Sequence, residues 1–301
     1  MTSSKGLPTR RAVLAAGAAA AAAATIPLAG TSHAAPSDLD TRLTALEDRY
    51  GVRLGVYAEN LASGRSAAYR ADERFPVSSL YQPLAAATGL RDSGPINDFL
   101  VQRIRYSTAD LVPGSPITSE AGNLASGMLV MDLCDGALRL GDRTAGNLVL
   151  RKVGGPSAVT AFCRSVGDSA TRLDHYEPDL NSAEPGRIED TTTARAIGVT
   201  YARLLVGDAL HPSAQSWLGG WMVDNETDGE RLRAGLPETW LLMSKTGESA
   251  YGTDHNVGVT LTQPGKQLLL LSVLTAKAQP DAVPDHRVIA EAARLLTAEL
   301  A

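Results

Sequence analysis

Cysteine is almost absent from this 301-residue chain, with only Cys134 and Cys163. Each lies in an apolar stretch, and a domain of this size does not depend on a staple, so both are expected as buried free thiols. Histidine is scarce too, at five residues, and they are scattered. Neither cysteine has the His/Cys neighbours of a zinc site, so no metal and no cofactor is expected. Positive charge is in deficit, with 28 basic against 33 acidic residues. That balance argues against nucleic acid and anionic membranes as partners. Beyond the N-terminus no apolar run approaches the roughly 20 residues needed to span a bilayer. Internal repeats are missing as well.

The N-terminus is the exception to this even composition. Lys5, Arg10 and Arg11 precede an uncharged, alanine-heavy run from Ala12 to Gly30. The Arg10-Arg11 pair before a weakly hydrophobic core reads as a twin-arginine export signal, with cleavage after Ala34, where Ser32 and Ala34 flank His33. Residues 1–34 are therefore set aside as a processing segment. The remaining 267 residues carry 25 basic and 33 acidic groups, net −8. They are enough for one large core or two interleaved lobes.

Leu39, Leu43 and Leu46 recur at helical spacing up to Gly51 and predict an amphipathic helix. Residues 52–60 and 66–70 alternate about the turn Ala62-Ser63-Gly64-Arg65 and read as a hairpin. From Pro76 to about Val223 the pattern is mostly helical, with segments at 131–139, 144–152 and 192–205. Strand signals return at 240–243, 257–261 and 267–275, before a closing helix over 286–300. Strands at both chain ends have to pair, because lone hairpins are marginal. The expected α/β architecture is one antiparallel sheet flanked by the terminal helices, with an all-helical lobe inserted. The boundaries are 35–74 and 227–301 for the sheet lobe and 75–226 for the helical lobe. A cleft between such lobes is a favoured ligand site.

Three stretches carry the chemistry. Phe75-Pro76-Val77-Ser78-Ser79-Leu80-Tyr81-Gln82 sets a serine at the start of a helix, where backbone N–H groups and the dipole stabilise an oxyanion. A serine in that place is also an ordinary helix cap. Tyr176-Glu177-Pro178-Asp179-Leu180-Asn181 offers a carboxylate and an amide four residues apart, suited to holding a water; an acidic loop without function has the same look. Ser244-Lys245-Thr246-Gly247 ends a strand with a cation, a hydroxyl and a glycine that permits close backbone approach.

Taken together these stretches resemble the class A β-lactamase family over essentially the whole processed chain. Ser79 matches the family's nucleophile, Glu177 and Asn181 its loop acid and amide, and Lys245-Thr246-Gly247 its site-edging strand. Leu148 to Pro156, Arg172-Leu173-Asp174, Asp190 to Thr193 and Arg231 to Pro237 support the match. The resemblance implies a two-lobe fold with the site between the lobes, a monomer, no cofactor, and a β-lactam or related acyl compound as ligand.

Several family positions differ. The family's lysine three residues after the nucleophile is Gln82, which neither accepts a proton at neutral pH nor supplies charge. Its Ser-Asp-Asn motif is Gly141-Asp142-Arg143: Gly141 removes the hydroxyl that relays a proton to the leaving nitrogen, and Arg143 puts a longer cation where an amide held the substrate's side-chain carbonyl. Glu248 follows Lys245-Thr246-Gly247 where the family has a small residue, and like charge there is expected to weaken carboxylate binding. Gly114 falls where an aromatic ring often walls the cleft, implying a wider mouth. Arg143 is expected to replace the lost lysine's charge and to pair with Glu177.

Three functions follow from this pattern. One is an impaired or redirected serine hydrolase, with Ser79 as nucleophile, Glu177 as base and Lys245 anchoring an anionic group. Another is a protein that binds β-lactams or a related metabolite without turnover. A third is a biosynthetic enzyme that uses the cleft for different chemistry.

Overall fold

The structure is a computed structural model that describes residues 37–92, 98–262 and 267–301. The expected export signal over 1–34 lies outside these residues. Among the described residues the helices in chain order are α1 (Asp38–Tyr50), α2 (Tyr81–Asp92), α3 (Ala121–Ser126), α4 (Val130–Leu140), α5 (Arg143–Lys152), α6 (Pro156–Ser165), α7 (Ala194–Leu205), α8 (Pro212–Val223), α9 (Leu232–Gly235) and α10 (Arg287–Leu300). The strands are β1 (Arg53–Asn60), β2 (Ser66–Tyr69), β3 (Arg74–Pro76), β4 (Arg103–Ile104), β5 (Met128–Leu129), β6 (Thr191–Thr193), β7 (Leu241–Ser249), β8 (Thr253–Leu261) and β9 (Leu268–Ala276).

Five strands form one antiparallel sheet in the order β2-β1-β9-β8-β7, joining the two chain ends through the β1–β9 pair, Arg53 opposite Ala276 to Asn60 opposite Leu269. Both faces are covered, so β9 reads as the nearly unbroken apolar run Leu268-Leu269-Leu270-Leu271-Ser272-Val273-Leu274. Its side chains still alternate. Leu269, Leu271 and Val273 pack with Leu43, Leu46, Ile289 and Leu296 of α1 and α10. Leu270 and Leu274 join the core of the helical block, and Gly198 of α7 approaches so closely that a Cβ there would lie 3.0 Å from Ser272 Cβ. Burying a Leu side chain contributes about 1.5–3 kcal/mol, so this strand holds both layers to the sheet.

Local signals explain the ends of α1. Ser37 and Asp40 form a capping box, and Gly51 closes the helix at φ +58°. Two expectations change. Thr191–Thr193 form β6, paired with β3, rather than the start of a helix, because Thr193 caps α7 by accepting from Ala196 N–H. The strand expected over 240–243 runs on to Ser249, so Lys245-Thr246-Gly247 sits mid-strand, paired with Val257-Asn256-His255. Cys134 and Cys163 are buried and unpaired, and burial pushes both thiols up, that of Cys163 to about 12.

His255 ties β8 to the approach to the site. Its Nε2 lies 2.8 Å from Pro76 O at the end of β3, and its Nδ1 lies 2.8 Å from Asp254 O and 3.2 Å from Thr275 N. Complete burial outweighs the carbonyls and lowers the imidazole from 6.5 to about 4. The folded state thus holds a neutral ring that the unfolded chain would protonate. Stability from this residue is full above pH 6.5 and is lost as pH falls through 4, about 3 kcal/mol in all. Urea unfolding followed from pH 7 to pH 4 is expected to show this decline, and His255→Gln is expected to flatten it.

Candidate active site

Ser79 enters the cleft through an unusual turn. Ser78 adopts φ +46°, rare for a residue with a side chain, and opens a 3-10 turn over Ser78–Leu80 that leads into α2. Packing fixes the turn from both sides. Tyr201 Oη donates to Leu80 O at 2.7 Å, Val77 N–H donates to Asp190 O at 2.7 Å, and Ser78 Oγ bonds Ser249 Oγ at the end of β7. Gly247 faces the same turn: a Cβ there would lie 3.0 Å from Ser78 Cβ and 3.3 Å from Ser79 N. This close approach brings the half-buried Ser79 and the backbone of β7 together, the arrangement an oxyanion site needs.

The opposite wall hangs on the start of α5. Gly141 ends α4 at φ +71°, and the fully buried Asp142 caps α5. Its carboxylate accepts from Ala145 N at 2.8 Å, Ile117 N and Thr118 N at 2.9 Å, and Thr118 Oγ1 at 2.8 Å. One acid thereby joins α5 to the loop before α3. One turn on, Asn147 holds Glu177 by its main chain, with Nδ2 donating to Glu177 O at 2.9 Å and Oδ1 accepting from Glu177 N at 3.0 Å.

Glu177 precedes a cis peptide to Pro178. Its carboxylate has no exposed surface; Asn181 Nδ2 donates to Oε2 at 2.5 Å, and Arg143 Nε lies 3.6 Å from the same oxygen. Burial raises its pKa above the ordinary carboxylate range, while Arg143, Asn181 and Lys245 pull it down. Gln82 is buried nearby on α2, and a Cβ on Gly146 of α5 would lie 2.9 Å from Gln82 Nε2 and 2.5 Å from Tyr81 Oη. Among the described residues, buried side-chain atoms without a hydrogen-bond partner gather here: both amide atoms of Gln82, Tyr81 Oη, Glu177 Oε1 and Asn181 Oδ1. Such concentration is unusual in a folded interior.

Lys245 lies across from them, almost fully buried, with its ammonium 3.9 Å from where a Cβ on Gly141 would stand. Desolvation lowers it to about 8, opposed by the charge of Glu177. Thr246 Oγ1 bonds Thr227 Oγ1 at 2.5 Å, and Ser244 Oγ donates to Asp228 Oδ2 at 2.6 Å. Beside them is Arg231, whose role was not legible in the sequence. Its Nε pairs with Asp254 Oδ1 at 2.7 Å, its Nη1 donates to Thr227 O at 2.5 Å, and its Nη2 pairs with Glu248. The like charge expected from Glu248 is thus met by a cation 17 residues away in sequence. Glu248, Asp254 and His286 converge closely enough for a metal ion, but the guanidinium of Arg231 already occupies the space between the two acids. Gly114 does not simply widen the mouth either: a Cβ there would lie 3.4 Å from Arg143 Cδ and Nε, and Arg143 N–H donates to Gly114 O at 3.2 Å.

The sequence profile of the Beta-lactamase enzyme family matches residues 38–300. The chain belongs to the β-lactamase family. It is 51% identical to a β-lactamase of Streptomyces fradiae over 295 residues, 96% of each chain, and 50% identical to one of Streptomyces lavendulae over 97% of each. The solved β-lactamase of Streptomyces albus G superposes with a TM-score of 0.85 at 49% identity, covering 88% of this chain and all of that one.

Within this β-lactamase fold, Arg143, Asn181 and Lys245 all act on Glu177, Lys245 lies beside Gly141, and Gly247 meets the turn that carries Ser79. Asp142 fixes the start of α5, which carries Arg143 and, through Asn147, holds Glu177. Asp142→Ala leaves four donors unpaired and is expected to destabilise the protein by about 3–5 kcal/mol, with Asp142→Asn costing less. Denaturant midpoints read by circular dichroism check both.

Proposed function

We propose that this chain is an exported serine hydrolase of the β-lactamase family that acts weakly on β-lactams or on related acyl compounds, with Ser79 as nucleophile. The observation that carries the reading is the state of Glu177. It is buried and raised in pKa, it accepts from Asn181 Nδ2, and its Oε1 has no hydrogen-bond partner. A carboxylate raised toward neutrality is better matched to proton transfer at pH 7 than an ordinary one. Acting through a water, it can take the Ser79 proton and later activate water against the acyl-enzyme.

Two proton-transfer groups are missing beside it. Gln82 offers no base, and Gly141 offers no hydroxyl to protonate a leaving amine. Each such group contributes typically 10²–10⁴-fold, although groups acting as a unit do not multiply simply. The loss at Gly141 matters least for esters and other acyl compounds whose leaving groups depart without a proton. Redirected hydrolysis of such compounds therefore fits these residues better than efficient penicillin hydrolysis. The Arg10-Arg11 pair before an alanine-rich run supports export, and outside the cytoplasm is where a β-lactam would be met.

Intact mass and turnover after incubation with a penicillin and with an activated ester test this reading. Ester turnover and a slow penicillin adduct, both abolished in Ser79→Ala, are the expected results. Binding without adduct or turnover would instead identify a non-catalytic binding protein. Restoring Gln82→Lys, Gly141→Ser and Arg143→Asn together is expected to raise penicillin hydrolysis by at least 10²-fold.

A further inference from the structure

Among the described residues, the two arginines beside the site differ in how much of their hydrogen-bonding capacity is spent. Arg231 has its Nε and both terminal nitrogens committed to Asp254, Glu248 and Thr227. Arg143 is different. Among the described residues its side chain has a single polar partner, Glu177 Oε2 at 3.6 Å from Nε, and its two terminal nitrogens have none. The side chain is 35% exposed, so the guanidinium is held at one edge by a buried acid and open at the other. A Cβ added at Gly114 would lie 3.4 Å from its stem, so a longer side chain there would compete for the same space.

The free edge of a guanidinium is a planar fork that matches a carboxylate with two parallel hydrogen bonds. Lys245, also without an ion-pair partner among the described residues, lies beside Gly141, two residues before Arg143. The cleft therefore presents two separated cationic contacts to a ligand.

We propose that Arg143 is a specificity residue for acyl compounds with an anionic group on the acyl side, so that the preferred ligand is a dianion held by Lys245 at one end and by the Arg143 fork at the other. This rests on the cleft binding acyl compounds, as proposed above, but not on Ser79 reacting with them. The ligand's second carboxylate shares Arg143 with Glu177 without displacing it, since Nε and the terminal nitrogens point in different directions.

A binding experiment on Ser79→Ala separates recognition from chemistry. Benzylpenicillin and its α-carboxy derivative differ only by a carboxylate on the acyl side chain, and calorimetric titration with each gives the preference directly. The dianion is expected to bind at least tenfold more tightly at low ionic strength, and the ratio is expected to shrink as salt is added. Adding Arg143→Gln should bring the two affinities within about twofold, while Arg143→Lys should keep part of the preference; a thermal melt confirms that each variant is folded. Equal affinities in the parent, a preference that survives Arg143→Gln, or no binding of either penicillin overturns the proposal. A wild-type chain that forms no adduct while Ser79→Ala keeps the preference would overturn the hydrolase reading alone.

Discussion

A carboxylate buried as fully as that of Glu177 has to be compensated, and the way this chain does so shapes the rest of the cleft. Isolated ionised carboxyls in a protein interior are expensive enough that the group otherwise stays protonated. Here the compensation comes from the Asn181 amide at 2.5 Å and the Arg143 guanidinium at 3.6 Å. With Gln82 where the family resemblance places a lysine, no cation reaches Glu177 from α2. Arg143 comes instead from the first turn of α5, and the loop at Gly114 leaves room for its stem. Arginine cannot release its proton, so in the proposed reading it supplies charge beside Glu177 without supplying a base.

That substitution works only because α5 is rigidly placed. Asp142 at its N-terminus gathers four donors from two segments, and Asn147 grips the main chain of Glu177 one turn later. The same helix thus fixes the arginine and the acid it faces. Across the cleft, Gly247 and the positive φ of Ser78 allow β7 to meet the turn that carries Ser79. In the proposed reading, this scaffold carries acyl chemistry around altered proton-transfer groups.

Much of this was legible in the residues themselves. The period-2 strands at both chain ends required a shared sheet, and Ser79, Glu177, Asn181 and Lys245 stood out because their spacing matched a known family. Boundaries were less legible. The threonine run of β6 looked helical because a threonine that caps a helix and one that begins it share the same neighbours. The Lys245 strand looked short because polar residues of a site interrupt its apolar pattern. Arg231 was missed for a different reason. Its partners Glu248 and Asp254 are 17 and 23 residues away, and only the fold reveals that a buried arginine converts the apparent excess charge of Glu248 into an ion pair.

The central claim is that Arg143 is electrostatically coupled to Glu177 in place of a lysine. Titration of the Glu177 carboxyl by carbon-detected NMR, in the wild type and in Arg143→Gln, measures that coupling directly. The wild-type pKa should lie above the ordinary carboxylate range, and removing the guanidinium should move it higher still. An unchanged or lower value in Arg143→Gln would contradict the claim.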